Sequence, residues 1–243
     1  MNHWFYNAES DFHMFGMAHN LTLIVIVLLV LSLYLFRGQL RPYRNWIRII
    51  MGWVLILSRL SLDFWYIATD NWGATHSLPL ELCGIASILC GIMLLTKNRH
   101  LFEIFYFIAL GGAIQAILTP NLGFGFPQFR YIQFFLSHVL IFLSPLVLCW
   151  LYDYVITKRA LFKSLVAVHA IAFVVFFIDW GLKANYMYLR HKPKTASLLD
   201  VLGPYPWYFI SLEVVAIVIF TLLYLPFAWR KADSDSGNVN SGG

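Results

Sequence analysis

The sequence predicts an all-α, polytopic membrane protein built as a single bundle of seven transmembrane helices. Of its 243 residues, 60% are hydrophobic and 12% are charged, and the mean hydropathy is +0.71. A soluble domain has about 45–50% apolar and about 25% charged residues, so a soluble fold of this length could not bury so much apolar surface. In addition, seven apolar stretches have or approach the length of about 20 residues that a membrane-crossing helix needs.

The seven stretches follow one another with short polar connections. They are residues 17–36, 46–68, 79–96, 101–118, 132–152, 164–182 and 207–229. Unpaired backbone amides are unfavourable in lipid, so each stretch is predicted to be helical. None shows the alternation of apolar and polar residues that is typical of membrane barrel strands. The first 20 residues contain no Lys or Arg, so the first helix is predicted to be retained rather than cleaved. Residues 1–231 should form one transmembrane domain, and residues 232–243 a disordered polar tail.

The basic residues predict the orientation. Eleven of them fall on one side of a chain that crosses seven times, which places the N-terminus outside and the C-terminus in the cytoplasm. The connection 183–206 carries four more cations on the predicted outer side. Either one of the seven helices is not a span, or these cations bind an anionic group outside, such as a lipid phosphate. The eleven are Arg37, Arg41, Arg44, Arg48, Lys97, Arg99, Lys158, Arg159, Lys163, Arg230 and Lys231.

Several functional classes lack their usual signals. The net charge of +5 is spread over short loops, which argues against nucleic-acid binding. The three cysteines lie in apolar stretches, so no disulfide framework is predicted. The chain has no H-E-x-x-H, no G-x-S-x-G and no Gly-rich phosphate loop. No Cys/His spacing suggests zinc, and we predict neither a metal nor another cofactor. The absence of a lysine in the seventh helix argues against a retinal pigment.

Polar side chains share one depth in this topology. At a rise of about 1.5 Å per residue, six of the seven helices place a polar group about 5–12 Å below the outer interface. Ionisable groups at such depths are candidates for function, so the layer predicts a polar cavity that opens outward or laterally. Simple pairing remains an alternative for Arg59 with Asp63 and for Glu213 with a lysine of the loop 183–194. The layer comprises Asp63, Glu81, Cys83, Gln115, His138, Asp179 and Glu213.

A cysteine and a histidine at one depth suggest nucleophilic catalysis. The imidazole of His138 would accept the thiol proton of Cys83, and a carboxylate would orient the imidazole. Glu213 and Asp179 both fit that orienting role, and the sequence does not choose between them. A thioester in a membrane cavity would be shielded from water, so a lipid alcohol could accept the acyl group. The candidate substrate-binding residues are Glu81, Gln115, Asn185, Tyr186, Arg190, Lys192 and Trp207.

Short motifs between residues 75 and 228 carry a family resemblance. In order and spacing they resemble the YwaF-like family of bacterial integral membrane proteins. That family is similar to a eukaryotic transmembrane acyltransferase that remodels ether phospholipids through a cysteine acyl-enzyme. The motifs are Leu78-Pro79-Leu80-Glu81-Leu82-Cys83, Leu118-Thr119-Pro120, Phe126-Pro127, Phe134-Phe135-x-x-His138, Asn185-Tyr186-Met187-Tyr188-Leu189, Lys192-Pro193, Ser197-Leu198-Leu199-Asp200-x-Leu202-Gly203-Pro204-x-Pro206-Trp207-Tyr208 and Leu222-Leu223-Tyr224-Leu225-Pro226-Phe227.

The resemblance implies that Cys83 is the nucleophile and His138 its partner. It implies a phospholipid acyltransferase or transacylase in a bacterial plasma membrane, with membrane phospholipids as partners and a homo-oligomer left open. Three alternatives remain at this point. The chain could be a lipid or amphiphile binding protein or transporter without covalent chemistry, a lipid ester hydrolase with the same Cys/His pair, or a protein with a purely structural role.

Overall fold

The computed structural model describes residues 11–192 and 201–239, and within them every predicted stretch corresponds to a helix. Shorter helical turns occur at Arg37–Leu40, Arg41–Tyr43 and Tyr186–Tyr188, and the described residues contain no β-strand. The predictions for residues 193–200, which include Lys194, lie outside the described residues. The seven long helices are α1 (Met17–Leu35), α2 (Arg44–Ala68), α3 (Leu82–Thr96), α4 (Arg99–Leu118), α5 (Phe129–Tyr152), α6 (Lys158–Leu182) and α7 (Tyr208–Val239).

Five helices are long and apolar enough to cross a membrane: α1, α4, α5, α6 and the part of α7 up to Ala228. α2 has the length, with 25 residues, but carries several charges, and α3 has only 15 residues. The seven crossings and their orientation therefore stay predictions. α7 extends to Val239, beyond the predicted end at 229 and into the segment 232–243. The disorder predicted for that tail is likewise still a prediction.

The core of the bundle lies where α2, α3, α4 and α5 pack together. α2 and α3 approach closely at two glycines: a Cβ added to Gly91 would lie 3.0 Å from the Gly52 carbonyl oxygen and 2.8 Å from Cγ1 of Ile56. Small residues at such crossings allow close helix packing in membranes. The outer faces of α6 and α7 remain exposed and apolar, as expected for helices that contact lipid.

The α3 and α5 helices run parallel, with their C-terminal ends side by side. Arg48 of α2 joins these ends, because its guanidinium donates hydrogen bonds to the carbonyl oxygens of Leu94 and Leu95 (2.7 Å for Leu95) and to the Tyr152 hydroxyl (3.3 Å). We call this end, with Arg44, Lys97, Arg99 and Lys158, the basic end. α5 has 24 residues and α3 has 15. The N-terminus of α3 therefore begins inside the bundle, level with the middle of α5.

The opposite end carries the loops 69–81, 119–128 and 183–192, and we call it the loop end. α3 begins at Leu82, three residues later than the predicted start at 79. Contacts with other elements explain the difference. Arg59 donates a hydrogen bond to the Ser77 carbonyl oxygen (2.6 Å), and the Leu78 amide donates one to the Tyr186 hydroxyl (2.9 Å). These bonds hold residues 77–81 outside the helix.

Candidate functional site

Cys83 is the second residue of α3 and is half-buried. Seven residues further on, Cys90 lies on the same face of α3, close enough to the Ser144 side chain of α5 to interact with it. Seven residues are close to two helical turns, and the two helices are parallel. The residues two turns before Cys90 and Ser144 are Cys83 and Ser137. Cys83 therefore lies beside Ser137, which precedes His138 in α5.

A second pair of contacts, through α2, gives the same register. Ser87 of α3 donates a hydrogen bond to the Leu55 carbonyl oxygen (3.3 Å), and Ser58 of α2 bonds to the Ser137 hydroxyl (2.6 Å). Ser58 lies three residues closer to the loop end of α2 than Leu55, which is roughly 4.5 Å along the helix axis. Cys83 lies four residues above Ser87, or roughly 6 Å. Cys83 and Ser137 therefore share a height to within a few ångströms.

His138 is buried, and one of its ring nitrogens is already bonded. Nδ1 lies 2.7 Å from the Phe134 carbonyl oxygen, and the His138 and Phe134 rings pack with centroids 4.1 Å apart. A carbonyl can only accept, so Nδ1 carries the proton when the ring is neutral, and the Nε2 lone pair has no donor among the described residues. The ring is thus oriented by a backbone carbonyl and presents Nε2 as a proton acceptor.

The two carboxylates predicted to orient His138 contact other groups. Glu213 of α7 pairs with His169 of α6, with 3.2 Å between Oε2 and Nε2, and among the described residues it pairs with no loop lysine. Asp179 is fully buried, and its Oδ1 accepts a hydrogen bond from the Tyr186 amide (2.9 Å). Neither carboxylate bonds to His138 among the described contacts, and the Phe134 carbonyl stands in the position predicted for one of them.

A chain of hydrogen bonds, which we call the polar seam, runs between α2 and α5. Arg130 donates to Oε1 of Gln133 (2.6 Å), and Gln133 Nε2 donates to the Ser137 hydroxyl (3.0 Å) and to the Ser58 carbonyl oxygen (3.3 Å). The polar seam (Arg130, Gln133, Ser58 and Ser137) leads from the loop end to the neighbour of His138. Sequence reasoning missed it, although the spacing of three and four residues in α5 would have placed its α5 members on one face.

Arg59 lies beside the polar seam and is buried. It forms a salt bridge with Asp63 one turn along α2, so the pairing alternative raised from the sequence is confirmed. Its Nε has no hydrogen-bond partner among the described residues. Glu81, which precedes α3 and is exposed, lies near enough to interact electrostatically with both Arg59 and Arg130.

Most of the predicted substrate-binding residues of the loop 183–192 hold that loop in place. The Asn185 side-chain oxygen accepts hydrogen bonds from the backbone amides of Arg190 (2.9 Å) and His191 (3.2 Å), and the Arg190 guanidinium donates to the Ala184 carbonyl oxygen (3.2 Å). The Tyr186 hydroxyl, besides accepting from the 69–81 loop, donates to the Ala74 carbonyl oxygen (2.9 Å). The three side chains are thus engaged in fixing the loop end.

The remaining predicted substrate-binding residues are spread over the surface of the loop end. The Lys192 ammonium lies 5.7 Å from the centre of the Tyr208 ring. Gln115 and Trp207 are exposed, and the structure does not bring them to Cys83 through any described contact. In the part of the chain that the structure describes, no three His, Cys, Asp or Glu side chains are grouped so that they could hold a metal ion.

A family model, the TMEM164 family, matches residues 14–224. The chain belongs to the TMEM164 family. The match includes Cys83, His138 and the polar seam. Membership of the TMEM164 family and the five apolar helices together identify this chain as a membrane protein. Comparisons with curated proteins and with solved structures gave no match.

In this TMEM164-family protein, Tyr186→Phe should loosen the loop end. The substitution removes the hydroxyl that bridges the Ala74 carbonyl and the Leu78 amide, and a buried polar group without a partner costs about 1–3 kcal/mol. We expect a lower melting temperature in detergent and faster proteolysis in the loops 69–81 and 183–192. Tyr205→Phe is the control, because Tyr205 is exposed. Equal behaviour of the two variants would contradict the bridging role.

Proposed function

We propose that this protein is a transmembrane acyltransferase or transacylase that moves an acyl chain between phospholipids through a thioester on Cys83. The main support is the register of α3 and α5, which puts Cys83 at the height of His138. The free Nε2 lone pair of His138 adds to this support. A thiol with an adjacent base is the usual arrangement for nucleophilic catalysis.

The reaction would take place in two steps with one base. Cys83 sulfur attacks the ester carbonyl of a bound phospholipid while Nε2 of His138 takes the thiol proton. The lysophospholipid alkoxide leaves with that proton, and the acyl group remains on sulfur. In the second step a lysophospholipid hydroxyl attacks the thioester and gives its proton to His138, which returns it to the departing thiolate.

The start of α3 inside the bundle favours this chemistry in two ways. The first-turn amides of a helix lack intrahelical acceptors and carry partial positive charge, so they would stabilise negative charge that develops on sulfur or on the acyl oxygen. The half-buried position of Cys83 also limits the access of water. A lipid alcohol that enters the site therefore competes well with hydrolysis.

The predicted orientation would place the site in the outer half of the membrane. We propose seven crossings, with the N-terminus outside and the basic end in the cytoplasm, because basic residues collect on the cytoplasmic side of membrane proteins. The substrates would then be phospholipids of the outer leaflet. The resemblance to bacterial proteins supports a bacterial plasma membrane as the location.

A second candidate is a lipid binding protein or transporter without a covalent step. Glu81 favours it, because this carboxylate lies two residues before Cys83 and has no role in the acyl-transfer steps above. A binding protein would use the same loop end and the same charged groups without needing the thiolate.

Cys83→Ala should abolish acyl-enzyme formation. We expect full-length protein in detergent, incubated with a phospholipid that carries a clickable acyl chain, to form a hydroxylamine-sensitive adduct visible by intact mass. The Cys83→Ala variant should form none. Cys90→Ala is the matched control, because Cys90 lies on the same face of α3 two turns deeper, and its adduct should persist. An adduct that persists in Cys83→Ala would exclude the nucleophile, and tightly bound lipid without any adduct would favour the binding protein.

His138→Asn should slow formation of the adduct about 100-fold or more, the usual contribution of a general base. His169→Asn is the control. His169 makes the same local bond, from Nδ1 to the carbonyl oxygen four residues earlier (2.8 Å), but its side chain is mostly exposed on α6. Rates of labelling measured against pH would show the loss of a proton acceptor only in His138→Asn. A similar loss in both variants would instead point to a packing defect.

A further inference from the structure

Three charged groups meet at the loop end without forming a closed ion-pair network. Arg59 and Arg130 are near enough to repel each other, and both attract Glu81. Within the described ranges, no ion pair within 4 Å joins Glu81 to either arginine. The two guanidinium groups and the carboxylate are thus close together without direct pairing, and Cys83 follows Glu81 by two residues.

Arg59 adds a buried donor that has no acceptor among the described residues. The residue is only 8% exposed, and its Nη2 already serves Asp63 and the Ser77 carbonyl. Its Nε finds no acceptor among the residues described. A buried donor on a charged group that lacks an acceptor costs free energy. An anionic ligand would supply that acceptor.

Arg130 is held by aromatic rings, and most of its donors have no acceptor among the residues that the structure describes. Its guanidinium carbon lies 5.7 Å from the centre of the Trp65 ring and 6.0 Å from that of Tyr66. One of its nitrogens donates to Gln133, and no other hydrogen bond from its side chain is found within the described part of the chain. A stacked guanidinium with a free edge suits planar, bidentate recognition of a phosphate or carboxylate.

We propose that Arg59 and Arg130 form a subsite that binds the phosphate group of the phospholipid whose ester Cys83 attacks. The inference rests on the proposed function and names the groups that position its substrate. The lipid phosphodiester carries a single negative charge, whereas the carboxylate of Glu81 repels the more highly charged inorganic phosphate. The predicted loop cation Arg190 is less suited, because it donates to backbone carbonyls.

The test measures lipid binding separately from chemistry. It uses full-length Cys83→Ala protein in detergent and two ether-linked probes that cannot donate an acyl chain: a dialkyl glycerophosphocholine and the dialkylglycerol that lacks the phosphate. Native mass spectrometry gives the affinity for each probe. We expect Arg130→Met in this background to weaken binding of the phospholipid at least tenfold and to leave binding of the dialkylglycerol unchanged.

Arg99→Met is the matched control. Arg99 also stacks on a tyrosine, with its guanidinium carbon 5.1 Å from the centre of the Tyr154 ring, but it lies at the basic end. Its substitution should leave both affinities unchanged. If Arg130→Met does not fold, Arg130→Lys decides, because lysine keeps the charge and loses the planar fork. We then expect phospholipid binding to weaken about threefold or more, with no change for the dialkylglycerol.

Unchanged phospholipid binding in both Arg130 variants, or an equal loss of both probes, would overturn the subsite. Displacement of the phospholipid by millimolar inorganic phosphate would overturn the assignment to a lipid. A different result would reject the proposed function. A phospholipid affinity that depends on Arg130, together with no acyl adduct on the unsubstituted protein, would retain the subsite and reject the transferase.

Discussion

The register between the short helix α3 and the long helix α5 is the constraint on which the candidate site depends. Arg48 fixes it at the basic end by bonding to the last carbonyls of α3 and to Tyr152 of α5. Because α3 is the shorter helix, its first turn lies inside the bundle. Cys83 therefore lies beside the middle of α5. If α3 were as long as α5, its first turn would instead lie at the surface of the loop end.

Hydrogen bonds at the loop end also fix the chain around Cys83. Tyr186 and Arg59 both bond to the backbone just before α3, and so the residues that precede Cys83 are fixed from two sides. The polar seam connects the same end to the neighbour of His138. Charged groups, hydrogen-bonded amides and the thiol thus belong to one continuous region between α2, α3 and α5. Polar and ionisable groups at such depths in an apolar bundle are candidates for function.

The helices could be predicted from composition, because long apolar stretches in lipid have few alternatives to helix. The Arg59–Asp63 pair could also be predicted, since the two residues are one turn apart. The start of α3 could not, because it is decided by bonds from residues distant in sequence. The partner of Glu213 was missed for a similar reason: hydropathy gives the depth of a side chain, but not the neighbour that its helix face meets. Gln133 escaped notice because a single amide resembles any interhelical contact.

Thiol cross-linking tests directly whether Cys83 and His138 lie within reach of each other. In protein that carries Cys90→Ala and Cys149→Ala, His138→Cys adds a second thiol at the predicted height. Dibromobimane, which becomes fluorescent when it joins two nearby thiols, should then react with both. Leu148→Cys in the same background lies ten residues further along α5, roughly 15 Å deeper, and should give no fluorescence. No cross-link with His138→Cys, or equal fluorescence from the two variants, would contradict the proposal that Cys83 and His138 act together.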